Sequence, residues 1–559
     1  MLKVSVRLLV LVAPLWLAAA CAPLAATDDL AAPAEAFVEG AWPADGPGAA
    51  VVVTRGGEVV YAGTRGLADV GTRRPITLDS VFRLGSISKQ FTAALVLKLV
   101  DEGKVSLDDP LSKFLPDFPA PGGQATIRQL LNHTSGIRSY TSLPGAQSEA
   151  ATSRHYTTGE VIALIRDEKP DFAPGSDWRY DNSGYALLAA VIEAVTGQPW
   201  QVALEQRITR PLGLATIRYA PDENTIANRV MPYTMGPSGV APAQKVDLSS
   251  ASGAGGLVGS VRDLARWAQA LHHGQVVSAA SYAQMIAPTS LPDGRTIPYG
   301  FALQTGDVRG FKVIGHSGGI QGGVTDSLYL PEQDLFVAVF INSDMPHTGP
   351  GVATRRLAAL AVGKPFPEYR PVALDPVALE PLLGRYKAAD GREGRFYMRD
   401  GRLFTQVGDE PERPVLPSAD NRFFYGPNSL AWFDAHREPA GGVMLEAHFD
   451  GSDRVVTLTR SGAIPPDPVV PHAVLERYVG RYELNGTIAT IGLTPDDRLT
   501  VQLTGQPMGP PLRTVSAYVF AGDAAGVRIK FEGEGPKATV IRSWYLGGEV
   551  TGTRIADEG

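Results

Sequence analysis

Gly85-Ser86-Ile87-Ser88-Lys89 opens an apolar run that continues Phe91-Thr92-Ala93-Ala94-Leu95-Val96. With Gly103 as its stop, the pattern predicts a helix from Ser86 to Glu102. Residues three apart share a helix face, so the Ser86 hydroxyl and the Lys89 amine project together, one turn apart. Serine is a weak nucleophile until a base takes its proton. Lysine can be that base only when burial lowers its pKa, by up to about 3–5 units, and an apolar helix supplies the burial. A serine at the helix start also meets free backbone N–H groups and the positive end of the macrodipole. Alone, the spacing equally fits a helix-start serine with a solvated lysine, but none of the other eleven lysines repeats it.

Two further segments carry compatible chemistry. Tyr180-Asp181-Asn182 precedes an apolar helix from Tyr185 and is the only Y-x-N in the chain. A phenol beside the lysine can relay a proton to a leaving group, and an amide can hold the scissile group. By itself the segment also fits an aromatic residue before an Asn cap. Gly315-His316-Ser317-Gly318-Gly319 follows the strand-like Phe311 to Ile314. Glycines on an edge strand let a substrate backbone approach, and the N–H of Gly319 can join that of Ser86 in an oxyanion hole.

The order Ser86-x-x-Lys89, Tyr180-x-Asn182, His316-x-Gly318 resembles the serine β-lactamase and penicillin-binding-protein superfamily, and its class C type most. Leu130-Leu131-Asn132-His133-Thr134-Ser135-Gly136 and the glycine-rich Ala254-Gly255-Gly256-Leu257 add to the likeness, which covers about Ala50 to Ile341. The resemblance implies an acyl-enzyme hydrolase. Ser86, Lys89 and Tyr180 are its catalytic residues, the N–H groups of Ser86 and Gly319 its oxyanion hole, and Asn182, His316 and Gly318 its substrate contacts. It implies no metal and no organic cofactor. Members that recognise penicilloyl groups carry a lysine where His316 stands, and a neutral imidazole supplies no fixed charge for a carboxylate. The departure favours the esterase, peptidase and amidase branch, with weak or no β-lactam hydrolysis. A D-Ala-D-Ala carboxypeptidase or β-lactamase and a non-catalytic envelope binding protein are the alternatives.

The remaining sequence frames this unit. Ala50 to Arg55 and Glu58 to Gly63 read as strands joined by Gly56-Gly57, and Phe311 to Ile314, Val324 to Leu330 and Leu335 to Ile341 read as three more. Strands at both ends with helices between them, including Val261 to Leu271, predict an antiparallel sheet whose terminal strands pair around a helical insertion. Two proline-rich linkers follow, near 364–376 and 464–471. After each comes a copy of one module: Leu379-Glu380 with Gly384-Arg385-Tyr386 recurs as Leu475-Glu476 with Gly480-Arg481-Tyr482, 96 residues on. Short alternating runs predict a small antiparallel barrel of about eight strands for each, the tyrosine serving as an aromatic corner. The chain is thus expected to be α+β, with a β-lactamase/transpeptidase-like domain at 29–362 and β modules at 376–462 and 472–559. The bacterial D-aminopeptidases resemble this arrangement in appending two such barrels.

Lys3 and Arg7, the apolar Leu8 to Leu17, and Ala18-Ala19-Ala20-Cys21 read as a secretory signal over 1–20. Cys21, the only cysteine, stands where a lipoprotein would be acylated, though Ala18 occupies a position where Leu is more usual. Either Cys21 is lipidated and anchors the chain to a membrane, or the signal is an ordinary one and Cys21 is incidental. Both readings place the mature protein in the periplasm or outside the cell. The 559 residues carry 51 basic and 58 acidic side chains, a net charge of −7, which disfavours nucleic acid as a partner. Gly315 to Gly319 also fits the G-x-S-x-G elbow of α/β-hydrolases, with Ser317 attacking, but that elbow needs a helix next, and glycines and strands follow instead. His272-His273 lacks the spacing of a zinc site. The expected partner is a small ester, amide or peptide.

Overall fold

A computed structural model describes residues 30–556, apart from 237, 374, 409, 411, 439–441, 450, 465–467, 485–486, 523–527 and 546–547. The signal and Cys21 lie outside the described residues. The chain opens with helix α1 (Ala31–Ala41) and strands β1 (Ala49–Arg55) and β2 (Glu58–Arg65). Gly56 and Gly57, at φ +56° and +84°, make the two-residue turn between those strands. The helical insertion contains α2 (Ser88–Asp101), α3 (Ser183–Thr196) and α4 (Val261–His272). Strands β3 (Gln304–Val308), β4 (Phe311–Ile320), β5 (Gly323–Leu330) and β6 (Leu335–Ile341) follow, then helix α5 (Pro350–Ala361).

The six strands form one antiparallel sheet in the order β3-β4-β5-β6-β1-β2, with Ala49 opposite Ile341 and Arg55 opposite Leu335. The first strand therefore closes against the last, with the insertion between them. Both faces of β1 are covered, which explains its unbroken apolar reading. Ala49, Val51 and Val53 pack with α1 and α5 on the outer face. Ala50 and Val52 face a core that includes Phe82, Phe91 and Phe340. Two sequence boundaries shift: β4 runs on through its glycines to Ile320, and α2 starts at Ser88 after a single 3₁₀ turn over Gly85–Ile87.

Each C-terminal module is an eight-stranded antiparallel barrel. The first closes fully, from Gly384–Ala388 round to Val455–Gly462. The second runs from Gly480–Leu484 to Gly548–Ile555. It is nearly closed: the segment leading into the edge strand Arg513–Ser516 bonds the opposite edge strand, Gly509 N to Val501 O at 2.9 Å and Leu512 N to Leu499 O at 2.6 Å. The repeated Gly-Arg-Tyr is structural in both. The Tyr386 hydroxyl donates to Leu382 O, and that of Tyr482 to Tyr478 O, the same reach of four residues. Gly384 and Gly480 each leave room for an arginine, Arg460 and Arg554, where a Cβ would collide.

The first barrel joins the back of the six-stranded sheet. Its Phe424, Leu430 and Trp432 belong to the cluster that holds α1, α5 and the outer face of β1. Arg356 also donates to Ser429 O, and Arg309 N to Gly451 O.

Candidate active site

The site is assembled where the start of α2 meets β4. Gly85 has φ +54°, and a Cβ there would sit 2.8 Å from Gly319 N. A Cβ on Gly318 would lie 2.0 Å from Leu84 O. Only glycines allow this backbone-to-backbone contact. It brings Ser86 and Gly319 to the wall of one cavity of about 570 Å³. Strand β3 pairs with β4 only as far as Gly315, so from His316 to Ile320 the β3-side edge carries no strand partner among the described residues.

Lys89 is fully buried. Its Nζ donates to Ser86 Oγ at 3.1 Å, Asn182 Oδ1 at 2.7 Å and Ala254 O at 2.9 Å. It also lies 4.8 Å from the centre of the Tyr180 ring. The glycine-rich segment makes the third contact available: Gly253 fits beneath Tyr185 O and Ala189, where a Cβ would crowd both. Thr92 Oγ1 donates to Gly253 O, and Ser88 Oγ accepts from Leu257 N. Burial pushes the Lys89 pKa down to about 7, opposed in part by the Asp181 carboxylate. Burial raises the Tyr180 phenol, while its hydrogen bond with the Ser86 hydroxyl pulls the other way.

Asn182 stands at the N-cap of α3 without capping it. Its side chain instead accepts from Lys89 and donates to Thr141 Oγ1 at 3.0 Å, which fixes the amide. His316 is buried, and both ring nitrogens are engaged within the protein. Its Nδ1 lies 2.5 Å from Ser317 O, a pure acceptor, so Nδ1 carries the proton. Burial drives its pKa down to about 3, with Lys89 adding to the effect, which keeps the ring neutral. The remaining nitrogen, Nε2, then accepts from the Tyr299 hydroxyl at 3.0 Å. Tyr299 has one proton to give, so it accepts from His133 Nε2 at 3.1 Å. His133 Nδ1, left as an acceptor in this neutral ring, receives the Asp181 backbone N–H at 3.3 Å.

This buried chain, Asp181–His133–Tyr299–His316, surrounds the Tyr180 ring. Ring centres lie 4.4 Å away for His133, 6.2 Å for Tyr299 and 6.1 Å for His316. Sequence reading assigned none of the first three a role. His133 and Asp181 lie inside quoted motifs, and their polar identity beside apolar runs was the available signal. Tyr299, in Pro298-Tyr299-Gly300, gave none. Ser317 is exposed on a strand that turns into β5 with no helix after it, which removes the elbow geometry.

A hydroxyl bonded to a buried, depressed lysine, beside a phenol and a glycine-lined strand edge, defines a serine hydrolase. The Beta-lactamase family model matches residues 34–362, more than half of the chain. The chain belongs to that family. Penicillin-binding protein 4* of Bacillus subtilis (strain 168) is 28% identical over 435 residues, covering 73% of this chain and 94% of that one. The D-aminopeptidase of Gluconobacter oxydans (strain 621H) is 28% identical over 424 residues, covering 75% and 74%. Among solved structures, a D-stereospecific amidohydrolase from Streptomyces sp. superposes with a TM-score of 0.50 at 30% identity, covering 56% of this chain and 94% of that one.

Proposed function

We propose that the chain hydrolyses small esters, amides or peptides through an acyl-enzyme on Ser86, in the manner of the D-aminopeptidases and D-amino-acid amidases it resembles. The observation that carries this reading is the 3.1 Å bond between Lys89 Nζ and Ser86 Oγ, inside a pocket that lowers the lysine to about 7. Lys89 takes the Ser86 proton as Oγ bonds to the substrate carbonyl carbon. The N–H groups of Ser86 and Gly319 receive the oxyanion. The proton returns through Tyr180 to the leaving oxygen or nitrogen as its bond to carbon breaks. Tyr180 stays a phenol at working pH, which suits it to relay and leaves Lys89 as the base. Water then adds to the acyl carbon and frees Ser86.

Asn182 holds Lys89 and Thr141 in register, and Gly318 lets the strand edge close on Leu84. His316, neutral and engaged on both nitrogens, supplies no cation for a β-lactam carboxylate, and among the described residues no charged side chain lines the cavity. That supports slow nitrocefin turnover. The test is Ser86→Ala: p-nitrophenyl ester turnover and fluorophosphonate labelling are expected to vanish with the folded signal unchanged, and retained activity discards the assignment. Export and attachment through a lipidated Cys21 complete the reading, supported by the sequence of residues 1–21. Cys21→Ser is expected to move the chain from the membrane to the soluble fraction.

A further inference from the structure

The cavity beside Ser86 has a sidedness that identifies what it holds. Ser86, Asn182 and Gly319 line it, whereas Tyr180 and His316 do not. Because the leaving group receives its proton from the Tyr180 side, the cavity receives the part of the substrate that stays on Ser86. Tyr140, Leu143, Tyr156, Val161, Leu164 and Val246 give it a largely apolar wall, interrupted by the hydroxyls of Thr141, Thr152 and Ser250, and no Asp, Glu, Lys, Arg or His lines it among the described residues. Its polar rim is amide: Gln321 donates to Gln147 across the opening at 3.0 Å.

The nearby carboxylates are committed elsewhere. The Asp181 carboxylate accepts from Gly184 N. Asp247 meets His155 and the Ser249 N–H, and Glu160 is held by Thr157 and Arg154. Among the described residues neither barrel contributes to the wall. An ammonium placed against this wall gives up water and meets no carboxylate among the described residues, which is costly. An aromatic or branched alkyl group gains from the same wall.

We propose, resting on the acyl-enzyme reading above, that the acyl group this enzyme accepts is bulky, apolar and uncharged next to the scissile carbonyl. This separates it from an aminopeptidase, whose substrate presents a free N-terminal amine at that place.

The test compares two anilides that differ by one ammonium group, 3-phenylpropanoyl p-nitroanilide and D-phenylalanyl p-nitroanilide, at about pH 6.5, below the ordinary α-amino range. The uncharged anilide is expected to show kcat/KM at least about 100-fold higher, the range of discrimination that an unpaired polar group produces. Leu164 is 41% exposed and lines the cavity, so Leu164→Asp places a carboxylate there with little demand on folding. It is expected to lower the ratio at least about tenfold. A D-phenylalanyl anilide that matches or outruns its partner overturns the proposal, and so does a ratio unmoved by Leu164→Asp. Absence of Ser86 acylation by p-nitrophenyl acetate would instead bring down the hydrolase reading itself.

Discussion

Lys89 is a buried amine ringed by three oxygen acceptors, and in the mechanism we propose its protonation sets when Ser86 can attack. Only the neutral amine can take the serine proton, so activity falls as pH drops through the lysine pKa. With that value near 7, the acid limb of a kcat/KM–pH profile is expected to bend at about pH 7. Spectroscopic pH titration of folding run beside it separates the limb from unfolding. Tyr299 acts one step back. Its hydroxyl joins His133 to His316 and so fixes the rings around Tyr180. Tyr299→Phe removes that link without touching Ser86. Steady-state kinetics is expected to show kcat lowered about ten- to hundredfold with KM within about twofold, because misplacing a proton-transfer group raises the barrier more than it weakens binding. That Ser86, Lys89, Tyr180 and Asn182 come together was legible in the sequence because each sits in a short motif with fixed spacing. The Tyr299 link was not. It is made across 166 residues to His133, and no local pattern reports such a pairing.

The strands and helices that place these residues were read from two periodicities; the edge strand β3 went unread, and the others differ at their ends. Strand β4 outran its apolar signal because the glycines in it pair with β5 by backbone alone. The 3₁₀ turn before α2 was invisible because Gly85 adopts φ +54° to pack on Gly319, a tertiary demand with no propensity signature. A further consequence lies between β5 and α5. Asp326 is buried there, with Thr354 donating to it and Arg355 3.8 Å away. Burial pushes its pKa up to about 6, against the opposing pull of Arg355 and Thr354. A carboxyl raised in the fold favours the protonated folded state. Its contribution is complete below the unfolded pKa of about 4 and is lost as pH rises through 6, by about 3 kcal/mol at neutrality. Asp326→Asn keeps an acceptor for Thr354 and removes the ionisation. The variant is expected to have a higher Tm than wild type at pH 7 and a flatter Tm between about pH 4 and 6. A steeper profile would contradict the assignment.

At the scale of the molecule the two barrels, which share one repeated pattern, are bound into the protein differently. The 96-residue repeat and the turn signals made both visible as modules, but which surface each one covers depends on side chains outside the repeated pattern. Trp432 of the first barrel is buried in the cluster shared with α1, α5 and the sheet, and it stacks on His448 at 4.3 Å and meets Phe366 edge-on at 6.2 Å. Phe531 of the second barrel lies in a cluster of that barrel's own residues, stacked on Tyr478 at 4.3 Å. Truncating either buried ring costs about 3–5 kcal/mol. The costs fall on different units. Trp432→Ala is expected to lower the melting temperature of the unit that contains Ser86, followed by loss of p-nitrophenyl ester turnover on heating. Phe531→Ala is expected to lower a separate calorimetric transition while the temperature of activity loss holds within about 2 °C, since each core unfolds as a cooperative unit in proportion to what it buries. One shared transition shifted equally by both variants would mean that the ties between the barrels, such as Arg513 to Glu412 at 2.8 Å, couple the second barrel to the catalytic sheet as tightly as the shared core couples the first.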